Sequence, residues 1–502
     1  MAHRSTSERA KIDDRFQVSA LPLEESSPRG GSCCVRDEEI GRRVRVGAML
    51  MAAALATMAH PSLPFIRGAN VGAYFVPERW MAPSFYSGTD ASSLCELVRH
   101  NRSLAEERMR QHLESFVVEE DFKWLAEQGF NAVRVPVGYW NALGAVSGIP
   151  YVPASPSVSL AYLDRVFEWG RKHGLAVLLD LHGAPGSQNG ADHSGCDSDG
   201  VGWHGDASVK LSLKAIDTFA RRYAPHPSFL GIELMNEPGW AVEWDHGKLL
   251  EYYTRAYALV HAASPSALVV FNVLFWSEFP AGFGNWWDGQ LLLPNVVLDL
   301  HLYDCFGEAS GRTLSEHKDQ ARAWSRAIER FKAMGHAVMV GEWSLATGVS
   351  AGGQEWADAQ IEAFSGGVGW FFWSLKKEDP DGRGDEGGNT WSLRGAVKSG
   401  ITGLGASDKS ATNLIASLQA IKDAGSASGS AAKLMPAVVV PSSPTPTWHP
   451  LALPATALLC LALLTVAMLF RLRRAYVPRA LSPTHELAPE IEYVHLERDP
   501  LQ

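Results

Sequence analysis

The sequence predicts a (β/α)8 TIM barrel, an α/β fold in which eight parallel strands close on themselves inside a ring of helices. Three observations carry this prediction. Short apolar runs recur between residues 62 and 421, with helical patterns between most of them. The runs are continuously apolar, as in strands buried on both faces. Polar residues stand at their C-terminal ends, where a parallel barrel keeps its chemistry. The open doubly wound sheet is the alternative. It is disfavoured because no glycine-rich phosphate loop follows the first run.

The predicted strands are Gly68–Phe75, Ala132–Val137, Ala176–Leu181, Leu230–Leu234, Leu268–Val273, Val296–Leu300, Ala337–Val340 and Gly369–Trp373. Helical spacing falls at Asp121–Gln128, Leu160–His173, Val209–Tyr223, Lys248–Ala262, Leu314–Met334 and from Ile361 onward. Eight strands separated by helices imply a parallel sheet closed on itself.

The rest of the 502-residue chain reads as appendages to this one core. Residues 1–45 are polar and mixed in charge, a disordered tail. Residues 46–60 follow Arg42, Arg43 and Arg45 and are uncharged, so they read as a signal-like or signal-anchor segment. Residues 62–421 form the barrel, and 423–450 form a Ser/Pro/Thr-rich stalk. Residues 451–470 hold no charge over a length that crosses a bilayer. Arg471, Arg473 and Arg474 follow, which puts 471–502 on the cytoplasmic side. The expected location is the plasma membrane or cell surface, with the barrel extracellular or lumenal. A lone sequon, Asn101-Arg102-Ser103, falls in a polar segment.

Composition narrows the function classes. Apolar residues make up 46% and charged residues 20%, as in a globular protein. The net charge of -10, without a basic run in the middle, argues against a nucleic acid partner. Cys33 and Cys34 lie in the polar tail and Cys460 in the apolar run. Cys95, Cys196 and Cys305 remain, so the barrel holds at most one internal disulfide. No metal-ligand spacing links them.

The chemistry is concentrated in two segments. Ile232-Glu233-Leu234-Met235-Asn236-Glu237-Pro238 ends an apolar run with an Asn-Glu pair. Ala337-Val338-Met339-Val340-Gly341-Glu342-Trp343 ends another with a glutamate. Two carboxylates at buried strand tips suit a retaining glycosidase, in which one donates a proton and the other attacks. The other strand ends offer Arg134, Asp180-Leu181-His182, Asp299-Leu300-His301-Leu302-Tyr303 and Trp373-Ser374.

The chain resembles glycoside hydrolase family 5, and within it the exo-β-1,3-glucanase (glucan 1,3-β-glucosidase) branch. The resemblance rests on Gly68–Gly72, Glu78-Arg79-Trp80-Met81-Ala82-Pro83-Ser84 and Asp180-Leu181-His182-Gly183-Ala184-Pro185-Gly186-Ser187-Gln188-Asn189-Gly190. It spans about residues 62 to 420. It implies Glu237 as acid/base and Glu342 as nucleophile. It implies Asn236 on the sugar 2-hydroxyl, and Arg134 and Tyr303 on Glu342. His182 and His301 would bind sugar or orient these groups. Trp373 would lie under the ring, and Glu78 would contact the terminal glucose. Phe306 would be half of an aromatic clamp whose other half is replaced by Ala191.

The implied partner is a β-glucan polysaccharide or oligosaccharide, handled by a monomeric catalytic domain without metal or cofactor. Membrane lipid would hold the chain through residues 451–470. Glu237 is expected to stay protonated and Glu342 ionised. Alternative readings are an endo-β-1,6- or β-1,4-glucanase, a β-glucosidase, or a non-catalytic membrane glucan receptor.

Overall fold

The structure, a computed structural model, describes residues 63–144, 146, 156–197, 200–203, 205–239, 246–272, 293–347, 353–378, 390–406 and 414–428. The expected N-terminal tail, the segment 46–60, nearly all of the stalk and residues 451–502 lie outside these. Among the described residues no helix is long and apolar enough to cross a membrane.

Eight strands close the expected barrel. They are β1 (Ile66–Asn70), β2 (Ala132–Gly138), β3 (Ala176–Gly183), β4 (Phe229–Glu233), β5 (Leu268–Asn272), β6 (Val296–His301), β7 (Ala337–Trp343) and β8 (Gly369–Phe372). All neighbours are parallel, and Ile66 pairs with Gly369 to shut the ring. Between β1 and β2 lie the helices Leu94–His100, Arg102–Ser115 and Glu119–Glu127. The helices Pro156–His173, Asp206–Tyr223, His246–Ala263, Leu314–Ala333 and Gly353–Phe364 follow later strands.

Local chemistry explains where these elements stop. The helix Leu314–Ala333 starts at Thr313, whose hydroxyl accepts the Glu316 N–H while Glu316 accepts the Thr313 N–H. Its buried face is His317, Ala321, Trp324, Ile328 and Phe331, a helical spacing. Gly335, at φ +91°, ends it. The first strand is shorter than expected. The chain turns at Gly72-Ala73, with Ala73 at φ +58°, so Val71–Phe75 leave the sheet while staying buried. The helix expected from Ile361 onward instead ends at Phe364, before Gly366 and Gly367.

The barrel interior changes character along its axis. At its N-terminal end Ile66, Ala132, Leu178, Leu268, Val297 and Met339 form an apolar cluster. Leu414 and Leu418 of the helix Leu414–Ser428 join this cluster. That helix extends past residue 423, where the stalk was expected to begin. Further along several strands, the inward positions become polar. Leu178 gives way to Asp180 and His182 on β3, and Val297 to Asp299 and His301 on β6. Gly341 on β7 has no room for a side chain, because the Asp299 carboxylate lies against it and accepts its N–H.

The loop after β3 is tied to the segment between β1 and β2. Cys95 and Cys196 form a disulfide across a sequence separation of 101, leaving Cys305 free. Two hydrogen bonds reinforce it: Cys95 N–H to Gly195 O at 2.9 Å, and Ser92 Oγ to Asp197 Oδ2 at 2.7 Å. Closing a loop of this length removes conformational freedom from the unfolded chain. Replacing both cysteines by serine is expected to lower unfolding free energy by about 2–5 kcal/mol, measured by denaturant titration of the wild-type and doubly substituted chains.

Candidate active site

One guanidinium organises the polar end of the barrel. Arg134 lies within β2 rather than at its end, and is fully buried. Its Nε donates to Glu233 Oε2 at 2.7 Å, and Nη1 to Asn70 Oδ1 and Glu342 Oε1, both at 2.9 Å. Nη2 donates to Asn236 Oδ1 at 2.8 Å and lies 3.1 Å from Asp180 Oδ2. Burial opposes its charge, and the carboxylates of Asp180, Glu233 and Glu342 outweigh burial, so the cation is held well above its usual range. Burial pushes the Glu233 carboxyl well up, with Arg134 pulling the other way.

Glu342, at the end of β7, is fixed through both oxygens. Oε1 accepts from Arg134, and Oε2 accepts from the Tyr303 hydroxyl at 2.9 Å. Tyr303 itself is pushed well up, first by burial and then by the Glu342 charge.

Glu237 follows β4 with a left-handed backbone, φ +39°, between Asn236 and Pro238. A non-glycine residue in this region is strained and needs its surroundings to hold it. Asn189 Nδ2 does so by donating to the Glu237 carbonyl at 3.2 Å. The Glu237 carboxylate sits between two imidazoles. Oε1 is 2.6 Å from His301 Nδ1, and Oε2 is 3.2 Å from His193 Nε2. Burial raises this carboxyl, but the two histidines outweigh burial and hold it well below the usual range. Their own protons are held correspondingly tightly: His193 is raised to about 9 and His301 well above its usual value, each against burial. The expectation of a protonated Glu237 therefore needs amending, because the imidazoles compete for that proton.

An oxygen of Glu237 and an oxygen of Glu342 lie within 4.8 Å of each other and of a His301 nitrogen. Glu233, Asp299 and His301 form a second group of the same closeness. In both groups basic side chains already meet the carboxylates: Arg134 pairs with Glu233 and Glu342, and His301 with Glu237.

The structure brings the remaining expected residues to the same cavity mouth, with one exception. His182 Nδ1 is 2.6 Å from Asp180 Oδ2, and its ring stacks on Trp373 with centroids 5.6 Å apart. His182 Nε2, Asn236 Nδ2 and Glu78 Oε1 are buried without a hydrogen-bond partner among the described residues. Unpartnered buried polar atoms call for a ligand or water. Glu78 is pushed up to about 8, first by burial and then by the Asp192 charge. Its Oε2 accepts from Trp80 Nε1 at 2.8 Å.

Phe306 is the exception: it stands on the outer rim, 62% exposed, and reaches the site only through other rings. Its neighbours are Tyr303 at 5.9 Å and Trp391 at 6.0 Å, with Trp80 a further 5.4 Å from Trp391. The rim thus has aromatic residues that the reading of Ala191 and Phe306 did not anticipate. Asn70, His193, Glu233 and Asn272 were also missed as site residues. Asn70 could have been found from the inward period of its strand, while His193 carries no periodic signal.

Removing the central cation strands three carboxylates. Arg134→Ala is expected to cost about 3–5 kcal/mol of unfolding free energy, since the partners of a broken buried pair stay charged. Hydrolysis should fall at least about 100-fold, read by comparing kcat of the folded variant with wild type.

Comparison with known proteins agrees with this geometry. Residues 105–379 match the family model described as Cellulase (glycosyl hydrolase family 5). The probable glucan 1,3-beta-glucosidase A of Aspergillus niger is 32% identical over 366 residues, 63% of this chain and 84% of that protein. That of Emericella nidulans is 31% identical over 385 residues, covering 67% and 89%. The glucan 1,3-beta-glucosidase of Blumeria graminis is 29% identical over 365 residues, covering 62% and 82%. Among solved structures, a rutinosidase from Aspergillus niger shares the fold, with a TM-score of 0.58, 21% identity and coverage of 68% and 98%. A barrel with glutamates after its fourth and seventh strands, matched by this model over more than half its length, belongs to glycosyl hydrolase family 5 and is a glycoside hydrolase.

Proposed function

We propose that this chain is a retaining, exo-acting glucan 1,3-β-glucosidase, with Glu342 as nucleophile and Glu237 as acid/base. The observation that carries the reading is the closeness of the two carboxylates. Their nearest oxygens lie within 4.8 Å. Retaining enzymes hold the two groups about 5–5.5 Å apart, whereas inverting enzymes need about 6.5–9.5 Å to admit a water.

Each partner then has a chemical task. Arg134 and Tyr303 aim an ionised Glu342 at the anomeric carbon. Glu237 protonates the departing glycosidic oxygen, then takes a proton from water as that water opens the glycosyl-enzyme. Asn236 Nδ2 is a buried donor suited to the sugar 2-hydroxyl, a contact that strengthens in the transition state. Glu78 Oε1 and His182 Nε2 offer further polar contacts to the bound sugar. The Trp373 ring serves as an apolar floor, and Phe306 with Trp391 supplies a rim for the leaving portion.

The β-1,3-glucan substrate is supported by the names of the relatives. The aromatic rim supports a binding surface beyond the cleaved bond. The finer placement follows from the sequence alone: residues 451–470 anchor the chain in a membrane, with the Ser/Pro/Thr-rich residues after Ser428 as stalk and the barrel outside the cytosol. Carbonate extraction and protease protection of membranes test that placement. Full release by carbonate would overturn it.

Glu342→Gln and Glu237→Gln are each expected to lower kcat on β-1,3-linked gluco-oligosaccharides by at least about 1000-fold. The test is a time course on defined β-1,3-, β-1,4- and β-1,6-linked glucans, with NMR of the first-formed anomer. Glucose alone at early times, released in the β configuration from the β-1,3 series, is the expected result. Inversion, or persistent activity in either variant, would overturn the assignment.

A further inference from the structure

The loop after β3 places a second imidazole on Glu237. His193 belongs to the short 3-10 turn Asp192–Ser194, which is held down by the Cys95–Cys196 bridge one residue beyond Gly195. Its Nε2 is 3.2 Å from Glu237 Oε2, on the carboxylate oxygen that His301 leaves unoccupied. We propose that His193 is a positioning residue that holds the catalytic proton in readiness and exchanges it with Glu237 Oε2. This inference rests on Glu237 being the acid/base.

The surroundings of the pair give that proton two seats. Carboxyl groups face His193 from several elements: Glu237 after β4, Glu78 after β1, and Asp192 on its own turn. They favour the imidazolium, which is raised to about 9 against the opposing effect of burial. The His182 ring meets the His193 ring edge to face at 5.7 Å, and His301 with Glu342 lies on the far side of Glu237. Asn189 acts the other way. Its Oδ1 accepts the Ala191 N–H at 3.1 Å and its Nδ2 reaches the Glu237 carbonyl, which fixes the amide orientation. The same Nδ2 lies 2.7 Å from His193 Nε2. A donor in that position favours a bare Nε2 and moves the proton onto Glu237 Oε2. The carboxyls and the amide thus pull the proton in opposite directions across one short contact.

The proton balance follows from this arrangement. His193 Nε2 passes its proton to Glu237 Oε2, which hands it to the leaving oxygen as the glycosidic C–O bond breaks, so that both seats are then empty. In the second half, the attacking water gives a proton to Oε2, which returns one to Nε2. Each turnover ends with the same number of protons on the pair. Because the proton is held up to alkaline pH, the enzyme should keep acid catalysis at pH values where a lone carboxyl would have lost it.

The test compares wild type with His193→Asn, and with His193→Gln should the first fail to fold. kcat/KM is measured from pH 5 to pH 10 on a β-1,3-linked gluco-oligosaccharide and on an aryl β-glucoside whose acidic phenol leaves without protonation. The expected result is an alkaline limb lowered by about one pH unit or more on the oligosaccharide. The loss should be about 2-fold at pH 8, grow toward about 10-fold at pH 10 on that substrate, and stay below about 2-fold on the aryl glucoside at every pH. Superimposable profiles, or equal losses on both substrates, would overturn the role of His193. Glu237→Gln in parallel separates the two claims. If it still cleaves the oligosaccharide, the acid/base assignment fails. If it is inactive there while His193→Asn is unchanged, only this inference fails.

Discussion

Arg134 is a fully buried cation at the point where β1, β2, β3, β4 and β7 bring polar groups together. Burying a guanidinium is costly unless its donors are all met and its charge is matched. Here Glu233, Asp180 and Glu342 match the charge, and Asn70 and Asn236 fill the remaining directions of the fork. The planar fork converts barrel closure into side-chain geometry. If one strand shifted register, a bond to Arg134 would be lost and a carboxylate stranded. Glu342, the proposed nucleophile, is therefore aimed by the same contacts that hold the polar layer together.

The two catalytic glutamates face opposite surroundings. Glu342 meets a permanent cation and a phenol, neither of which takes part in proton exchange near neutral pH. Glu237 meets imidazoles, which do. In the proposed mechanism this difference divides the labour between two chemically identical side chains. Asp299 extends the second environment inward: its Oδ2 is 3.4 Å from His301 Nε2 while its Oδ1 holds the Gly341 N–H. The backbone beside Glu342 is thus connected to the histidine beside Glu237 through one buried carboxylate.

Much of this was legible in the sequence, and what was missed has physical reasons. Glu237 and Glu342 were legible because each terminates an apolar run, and the strand ends of a parallel barrel are where polar side chains gather. Glu233 was hidden inside such a run, because its partner Arg134 lies on a different strand and the ion pair appears only on closure. The helix Arg102–Ser115 went unread because it buries little beyond Ala105, Met109, His112 and Leu113 on an otherwise charged surface. The rim of Trp80, Phe306 and Trp391 comes from three distant loops, a juxtaposition without local signal. The pairing of Cys95 with Cys196 was likewise open, since three cysteines allow several choices.

That bridge has a bearing on where the chain is competent. The covalent clasp secures the turn that carries His193, while the barrel walls and the Arg134 layer do not depend on it. In a thiol-rich compartment the cysteines would remain reduced. The turn that carries His193 would then lose its covalent tie to the segment between β1 and β2, and oxidising surroundings would restore it.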